Sequence, residues 1–93
     1  MSEEEIYDKA LEKFGMEAQI LMCIEEMSEL TKELCKNDRG VENSLKIAEE
    51  LADVEIMLEQ IALIFKVGKL VEIFKQEKLA KLSRLIGVEN DRV

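Results

Sequence analysis

The sequence predicts an all-α fold, a helical bundle of three to four helices that is completed by homodimerisation. Its 93 residues include no Pro and only four Gly, and they are rich in Glu, Lys, Leu and Ile, which enter a helix at little cost. Apolar residues recur at three- and four-residue steps along most of the chain, as the buried face of a helix requires. Hydrophobic residues make up 47% of the sequence, more than so small a domain can cover alone. We therefore expect one helical domain, residues 1–93, that forms a homodimer or a tetramer built as a dimer of dimers.

Capping and breaking residues delimit the first two predicted helices. The first covers about residues 3–13, with Ser2 as its N-cap, and Gly15 ends it. The second runs from about residue 16 to 36 and stops at the polar cluster 37–40. We expect each helix to bury one apolar stripe. These stripes are Ile6, Ala10, Leu11 and Phe14 on the first helix, and Ile20, Cys23, Ile24, Met27, Leu30 and Leu34 on the second.

Two further helices are predicted in the second half of the chain. The third runs from about residue 42 or 43 to 67, Gly68 breaks the pattern, and the fourth runs from about residue 69 to 86. Because the third is apolar on nearly all faces in its second half, we place it at the centre of the dimer. Its main stripe is Ile47, Leu51, Val54, Leu58, Ile61, Ala62 and Phe65. The tail after Gly87 is expected to fray.

Composition excludes several classes of chemistry. The chain contains no His, which excludes a Ser-His-Asp triad, a Cys-His dyad and a His-ligated zinc site. Its 21 acidic residues leave carboxylates as the acid–base and metal-binding groups, and these favour hard cations such as Mg²⁺ or Mn²⁺. Cys23 and Cys35 lie on one predicted helix, roughly 18 Å apart at 1.5 Å per residue, too far for a disulfide. We expect both to be small core side chains in a reducing compartment.

Charge and hydropathy predict a cytoplasmic protein without a nucleic-acid or membrane partner. The net charge of −8 disfavours nucleic acid. No apolar run reaches the roughly 18 residues that span a bilayer, and the acidic N-terminus does not resemble a signal peptide. The charge is uneven, since residues 1–65 hold 17 acidic and 6 basic residues, whereas residues 66–84 hold 2 acidic and 6 basic ones. An acidic body is thus followed by a basic C-terminal segment.

Two acidic segments depart from the ordinary pattern of an amphipathic helix. They are Glu25-Glu26-Met27-Ser28-Glu29 and Glu49-Glu50-Leu51-Ala52-Asp53. Residues three apart lie about 60° from each other around a helix, so Glu26 and Glu29 share one flank. Glu50 and Asp53 do the same on the third helix, beside large apolar side chains. Converging carboxylates at an apolar seam repel each other and are costly to desolvate, which a divalent cation would relieve. The alternative interpretation is a solvated acidic face that makes ion pairs.

At these residues the chain resembles the MazG-like all-α nucleoside triphosphate pyrophosphohydrolase superfamily. The family pattern is E-E-x-x-E, a spacer, and E-x-x-D, and here Glu25–Glu29 and Glu50–Asp53 match it with twenty residues between them. The run Lys13-Phe14-Gly15 and a late Lys-Leu-x-x-Leu extend the resemblance to about residues 10–86. It implies Mg²⁺-dependent hydrolysis of (d)NTPs or modified nucleotides between the α- and β-phosphates, giving the monophosphate and pyrophosphate.

The resemblance also implies which residues form the catalytic centre. The metal ligands would be Glu26, Glu29, Glu50 and Asp53, with Mn²⁺ able to substitute for Mg²⁺. A neighbouring acid, either Glu25 or Glu49, would orient or deprotonate the attacking water. The sequence does not choose between these two.

Candidate substrate-binding residues lie outside the acidic segments. The basic ones are Lys78, Lys81 and Arg84, which repeat every three residues on the fourth helix. This face would meet the β- and γ-phosphates, or it would only solvate the surface near a helix C-terminus. Phe14 stands where relatives often have Trp, and it would either stack on the base or anchor the core. Gln19 would hydrogen-bond an edge of the base.

Three alternatives remain open at the level of sequence. Phosphoribosyl-ATP pyrophosphohydrolases have a similar length and chemistry, but they usually show a Lys-x-Gly-Glu-Glu run where this chain has Lys13-Phe14-Gly15-Met16-Glu17. Dimeric dUTPase-type enzymes normally carry longer insertions and additional acidic motifs. A non-catalytic helical dimerisation module would have the same composition without any metal.

Overall fold

The computed structural model describes residues 1–87, and these residues form four α-helices. The helices are α1 (Glu3–Phe14), α2 (Met16–Asp38), α3 (Ser44–Phe65) and α4 (Gly68–Leu85). The predicted all-α class is confirmed, and residues 1–87 contain no strand. The frayed tail that the sequence predicts after Gly87 lies outside the described residues. None of the four helices combines the length and apolar content that a membrane-spanning segment needs.

The predicted start and end of α1 are both confirmed. The Ser2 hydroxyl accepts a hydrogen bond from the Glu5 backbone N–H at 3.1 Å, and the Ser2 N–H donates to the Glu5 carboxylate at 2.8 Å, which completes a capping box. Gly15 adopts φ 90°, a conformation that L side chains rarely adopt, and the chain turns there into α2. The buried residue of α1 is Tyr7, whereas Phe14 is exposed. The predicted stripe therefore missed the side chain that anchors this helix.

The break between α3 and α4 comes earlier than the sequence indicated. Lys66 adopts a left-handed conformation with φ 57° and caps α3, while the Val67 N–H donates to the Ala62 carbonyl at 3.0 Å, as in a Schellman-type helix end. Gly68 is the first residue of α4 rather than the breaking residue. At the other end of α3, the turn after α2 contains Gly40 with φ 97°, as predicted for that cluster.

The long helices α2 and α3 form an antiparallel hairpin with a largely polar seam. Gln19 near the start of α2 donates to Gln60 near the end of α3 at 2.6 Å. At the opposite end, the Asn43 amide donates to the Glu33 carboxylate at 2.8 Å. The buried polar residues are Gln19, Glu33, Glu50 and Gln60, and the buried apolar ones are Tyr7, Cys23, Val54 and Met57. A hydrogen-bonded pair at each end of the seam, buried at the Gln19 end and part-buried at the Asn43 end, fixes how the two helices align.

The predicted stripes are wrong about which helix flanks a single chain buries. On α3, Leu51, Leu58 and Phe65 are 44%, 49% and 56% exposed, and α2 likewise exposes Ile24, Met27 and Leu34. Of the predicted α3 stripe only Val54 is buried, and the other buried residues of this helix are Glu50, Met57 and Gln60. Cys23 is buried as expected, but Cys35 is exposed; both are free thiols, as predicted. One hairpin covers only one flank of each helix, so an apolar pattern on several flanks does not say which one it buries.

Much apolar surface is left uncovered in the single chain. A folded monomer of 10.7 kDa exposes about 5500 Å², whereas this chain exposes 7350 Å². Helix α4 contributes much of this surface because it contains no buried residue. Large apolar side chains are exposed on all four helices, and exposed apolar surface beyond single scattered residues usually marks an interaction site.

We expect Met57→Ala to lower the free energy of unfolding by about 2–3 kcal/mol, since truncation leaves a cavity in the seam. Met57 is only 6% exposed, and its sulfur accepts a contact from the Gln60 amide at 3.4 Å. Urea denaturation measures the change. Met16→Ala is the matched control because Met16 is 55% exposed, and its effect should stay within about 0.5 kcal/mol. Equal effects of the two variants would contradict the burial of Met57.

Candidate metal centre

Three carboxylates meet in the middle of the α2–α3 seam. Glu26 of α2 and Glu50 and Asp53 of α3 each place one oxygen within 4.8 Å of the others. The antiparallel hairpin brings them together, because positions far apart in sequence come side by side along its seam. Glu50 is buried, and the other two are half-buried. Three of the four residues predicted as metal ligands therefore form one cluster.

Glu50 is the most constrained member of the carboxylate cluster. Its side chain is 7% exposed, and its Oε2 lies 3.4 Å from the Lys46 ammonium. Its Oε1 is buried and has no hydrogen-bond partner within the described residues. A buried, unpaired carboxylate oxygen costs free energy unless a cation or a donor approaches it. A divalent ion held by the three oxygens meets that need, so the donor set fits Mg²⁺ or Mn²⁺.

Electrostatic repulsion within the cluster acts on Glu26. Burial raises the pKa of Glu26 above its ordinary value, and the negative charges of Asp53 and Glu50 raise this pKa further. Glu25 and Glu29 add smaller contributions in the same direction. The folded protein without a bound cation thus holds Glu26 in a position that disfavours its charged form.

Glu26→Gln is expected to raise the melting temperature of the metal-free protein at pH 7, because a neutral amide removes the repulsion. The raised pKa means that folded Glu26 binds its proton more tightly than unfolded Glu26. This residue's contribution to stability is therefore lost as pH rises from 4.5 through the raised pKa. In thermal unfolding in EDTA from pH 4 to pH 7, the melting temperature of the variant should rise relative to that of the wild type as pH rises. A difference in melting temperature that shrinks with rising pH would contradict the repulsion.

The other acids of the two motifs lie at the edge of the cluster. Glu29, predicted as a fourth ligand, is exposed and does not belong to the group of oxygens within 4.8 Å. Glu25, a candidate for activating water, is exposed on α2. The second candidate, Glu49, accepts a hydrogen bond from Lys46 at 2.9 Å. The geometry leaves the choice between Glu25 and Glu49 open.

The predicted substrate-binding residues are not gathered around the cluster in a single chain. Lys78, Lys81 and Arg84 lie on the exposed helix α4. Phe14 is 59% exposed at the end of α1, with the Lys13 ammonium 5.8 Å from its ring centroid. It is therefore not a core anchor of the single chain.

Gln19, predicted to bind an edge of the base, is buried in the seam. It is only 6% exposed, and its amide nitrogen donates to the Gln60 side chain at 2.6 Å. In this arrangement its amide N–H forms a hydrogen bond between α2 and α3. Contact with a base would require Gln19 to leave Gln60 or to use its own carbonyl oxygen.

Sequence reasoning missed Lys46 as part of the centre. Lys46 precedes Glu50 by four residues, a spacing that places the two side chains side by side on a helix. This i,i+4 spacing was a signal that could have identified it. The half-buried amide of Asn43 and the buried amide of Gln60 carried no comparable sequence signal, because their burial depends on which flanks of α2 and α3 meet.

Two of the larger cavities lie away from the carboxylate cluster. One of about 370 Å³ lies between α1 and the α3–α4 link, and its lining includes Tyr7, Glu59 and Lys66. The Tyr7 hydroxyl donates to the Glu59 carboxylate at 2.6 Å, and this bond raises the pKa of Tyr7 to about 12. The other, of about 610 Å³, is a cleft between α3 and α4 whose lining includes Leu58 and Val71. Neither cavity contains a residue of the carboxylate cluster.

Comparison with known proteins adds no relative to this description. No protein-family model, no curated protein and no solved structure matches the chain.

Proposed function

We propose that this protein is a Mg²⁺-dependent nucleoside triphosphate pyrophosphohydrolase that converts (d)NTPs or modified nucleotides to the monophosphate and pyrophosphate. The observation that carries the proposal is the buried Oε1 of Glu50, which has no hydrogen-bond partner among residues 1–87, on a residue that belongs to the three-carboxylate cluster. A solvated acidic face would leave such an oxygen in water. The resemblance of the two acidic motifs to the MazG-like superfamily supplies the reaction, which the geometry alone does not specify.

Each carboxylate of the centre has a role in the proposal. Glu26, Glu50 and Asp53 would hold the ion, and Glu29, one turn after Glu26, would complete the ligand set with a change of side-chain rotamer. When bound, Mg²⁺ lowers the pKa of a coordinated water and offsets the charge on phosphate oxygens. Glu25 or Glu49 would accept the proton of the attacking water. Catalysis of this kind depends on positioning and electrostatics more than on a protein nucleophile.

A second copy of the chain is part of the proposal. The apolar faces of α2, α3 and α4 are exposed in a single chain, and a homodimer or a dimer of dimers would cover them. The basic residues of α4 would then approach the acidic hairpin of the partner and meet the triphosphate. Segment 66–84 contains 6 basic and 2 acidic residues. Its net positive charge supports attraction to the acidic hairpin and to the triphosphate. Two free cysteines support a cytoplasmic location.

A substrate panel tests the proposed reaction. Purified protein is incubated with the canonical NTPs and dNTPs, dUTP, oxidised or methylated nucleotides and phosphoribosyl-ATP, with Mg²⁺ or with EDTA, and pyrophosphate is measured. We expect Mg²⁺-dependent release of pyrophosphate with at least one nucleoside triphosphate. Activity restricted to dUTP or to phosphoribosyl-ATP would instead identify one of the two related enzyme groups. Absence of pyrophosphate with every compound would count against the reaction.

A non-catalytic helical dimerisation module is the second candidate, since the exposed apolar faces alone favour it. It predicts that Mg²⁺ and Mn²⁺ leave the melting temperature unchanged. The proposed enzyme predicts a rise, because a ligand that binds only the folded state stabilises it. Thermal unfolding with and without each ion separates the two.

A further inference from the structure

Lys46 is a cation located at the edge of the carboxylate cluster. Its ammonium lies 2.9 Å from the Glu49 Oε1 and 3.4 Å from the Glu50 Oε2. The Lys46 side chain is 51% exposed, whereas that of Glu50 is 7% exposed. The ammonium thus reaches from solvent to one oxygen of a buried carboxylate, and the other oxygen has no hydrogen-bond partner in the described part of the chain.

This arrangement neutralises Glu50 only in part. One ammonium faces two carboxylates, those of Glu49 and Glu50, while Glu26 and Asp53 bring two further negative charges within 4.8 Å of Glu50. A divalent ion that binds the cluster meets a positive charge already in contact with one of its ligands. Either the ion binds less tightly because of that repulsion, or the ammonium moves toward water. The exposed, flexible stem of Lys46 makes displacement feasible.

We propose that Lys46 is the resident counter-ion of the metal centre and that it lowers the affinity of the centre for divalent ions. This inference rests on the proposed metal-dependent function. Without a divalent ion, the Lys46 ammonium partly neutralises the charge of Glu50 and thereby stabilises the α2–α3 hairpin. With the ion bound, Glu50 exchanges the ammonium for the metal. Lys46 is therefore a positioning residue that sets the Mg²⁺ concentration at which the centre fills.

The structure favours this role over that of an ordinary surface ion pair. A pair between two exposed side chains has little effect on a neighbouring site. Lys46, however, contacts a carboxylate that is more than nine-tenths buried and that belongs to the cluster. Its charge therefore acts on the centre through a short and poorly hydrated path.

Calorimetric titration of the metal-free protein with MgCl₂, without nucleotide, tests the proposal. We expect Lys46→Met to bind Mg²⁺ about tenfold more tightly than the wild type, because the competing charge is gone. Lys46→Arg, which keeps the charge, should stay within about twofold of the wild type. Lys32→Met is the matched control, since Lys32 is exposed on α2 and its loss changes the net charge equally. It should also stay within about twofold. Thermal unfolding in EDTA should show Lys46→Met to be less stable than Lys46→Arg.

The outcomes separate this inference from the proposed function. Equal or weaker Mg²⁺ binding by Lys46→Met, with binding still abolished by Glu50→Gln, overturns the role of Lys46 and leaves the metal centre standing. Wild-type protein that binds no Mg²⁺ overturns both. If Lys46→Met is unfolded in EDTA, circular dichroism follows the addition of MgCl₂. Refolding by the ion supports the counter-ion role, and failure to refold contradicts it.

Discussion

Glu50→Gln is expected to abolish pyrophosphate release, lowering kcat/KM by about 10³-fold or more, which corresponds to about 4 kcal/mol of transition-state stabilisation. Glu50 is the buried member of the cluster, and its amide replacement removes one negative charge and one oxygen that would bind the proposed metal ion. The variant should still fold, because a neutral amide relieves the repulsion that the cluster carries. Activity is measured as pyrophosphate release at saturating Mg²⁺, and folding by far-UV circular dichroism.

The matched control for Glu50→Gln lies on the same helix. Glu55 is exposed on α3 and is not one of the clustered carboxylates, so Glu55→Gln should keep near-wild-type activity. Asp53→Asn and Glu26→Gln should behave as Glu50→Gln does, and all three should lose the Mg²⁺-dependent rise in melting temperature. Full activity in Asp53→Asn and Glu26→Gln would refute the proposed metal centre. Loss of activity in Glu55→Gln would show that activity depends on the overall negative charge of the protein rather than on the carboxylate cluster.

The second large effect is expected from Leu58→Asp, which should convert the proposed dimer to monomers and raise its dissociation constant at least about 100-fold. Leu58 is 49% exposed in the single chain and lines the cleft between α3 and α4. If a second copy fills this cleft, Asp would place a charge against apolar surface without a partner. Sedimentation velocity across a range of concentrations measures the change.

Leu45→Asp is the control for the oligomer. Leu45 lies at the start of the same helix and is 89% exposed, so an added charge there should leave the association state unchanged. The Leu58 variant should also lose activity if α4 of the partner supplies basic residues to the centre. A wild-type protein that sediments as a monomer would refute the dimer. An unchanged dimer in Leu58→Asp would refute the placement of Leu58 in its interface.

Local features were the part of the fold that the sequence predicted best. Ser2 caps α1 and Gly15 ends it, because capping and positive φ depend on a few adjacent residues. Lys66 was missed as the end of α3, since a left-handed conformation at a Lys has no clear sequence signal and Gly68 offered a plausible break nearby. The boundaries of α2 and α3 were predicted within about two residues.

The candidate site was predicted in part. The shared flank of Glu50 and Asp53 follows from helix geometry alone, whereas the expectation that Glu26 joins them came from the family resemblance. The clustering of these three residues agrees with that expectation. The separate position of Glu29 could not be predicted, because whether a residue at the rim of a helix flank reaches the seam depends on how the two helices rotate against each other.

The sequence by itself determined the helices, their caps and the two acidic motifs, because these depend on contacts within one or two helical turns. Only the tertiary structure decided which flank each helix buries. It placed Gln19 against Gln60, left Leu51 and Phe65 exposed, and set Lys46 beside a carboxylate with an unpaired oxygen. The physical reason is that α3 is apolar on several flanks. The free energy gained by burying apolar side chains is therefore nearly the same for each of these flanks. The polar pairs that form only when α2 and α3 meet in one register select among them.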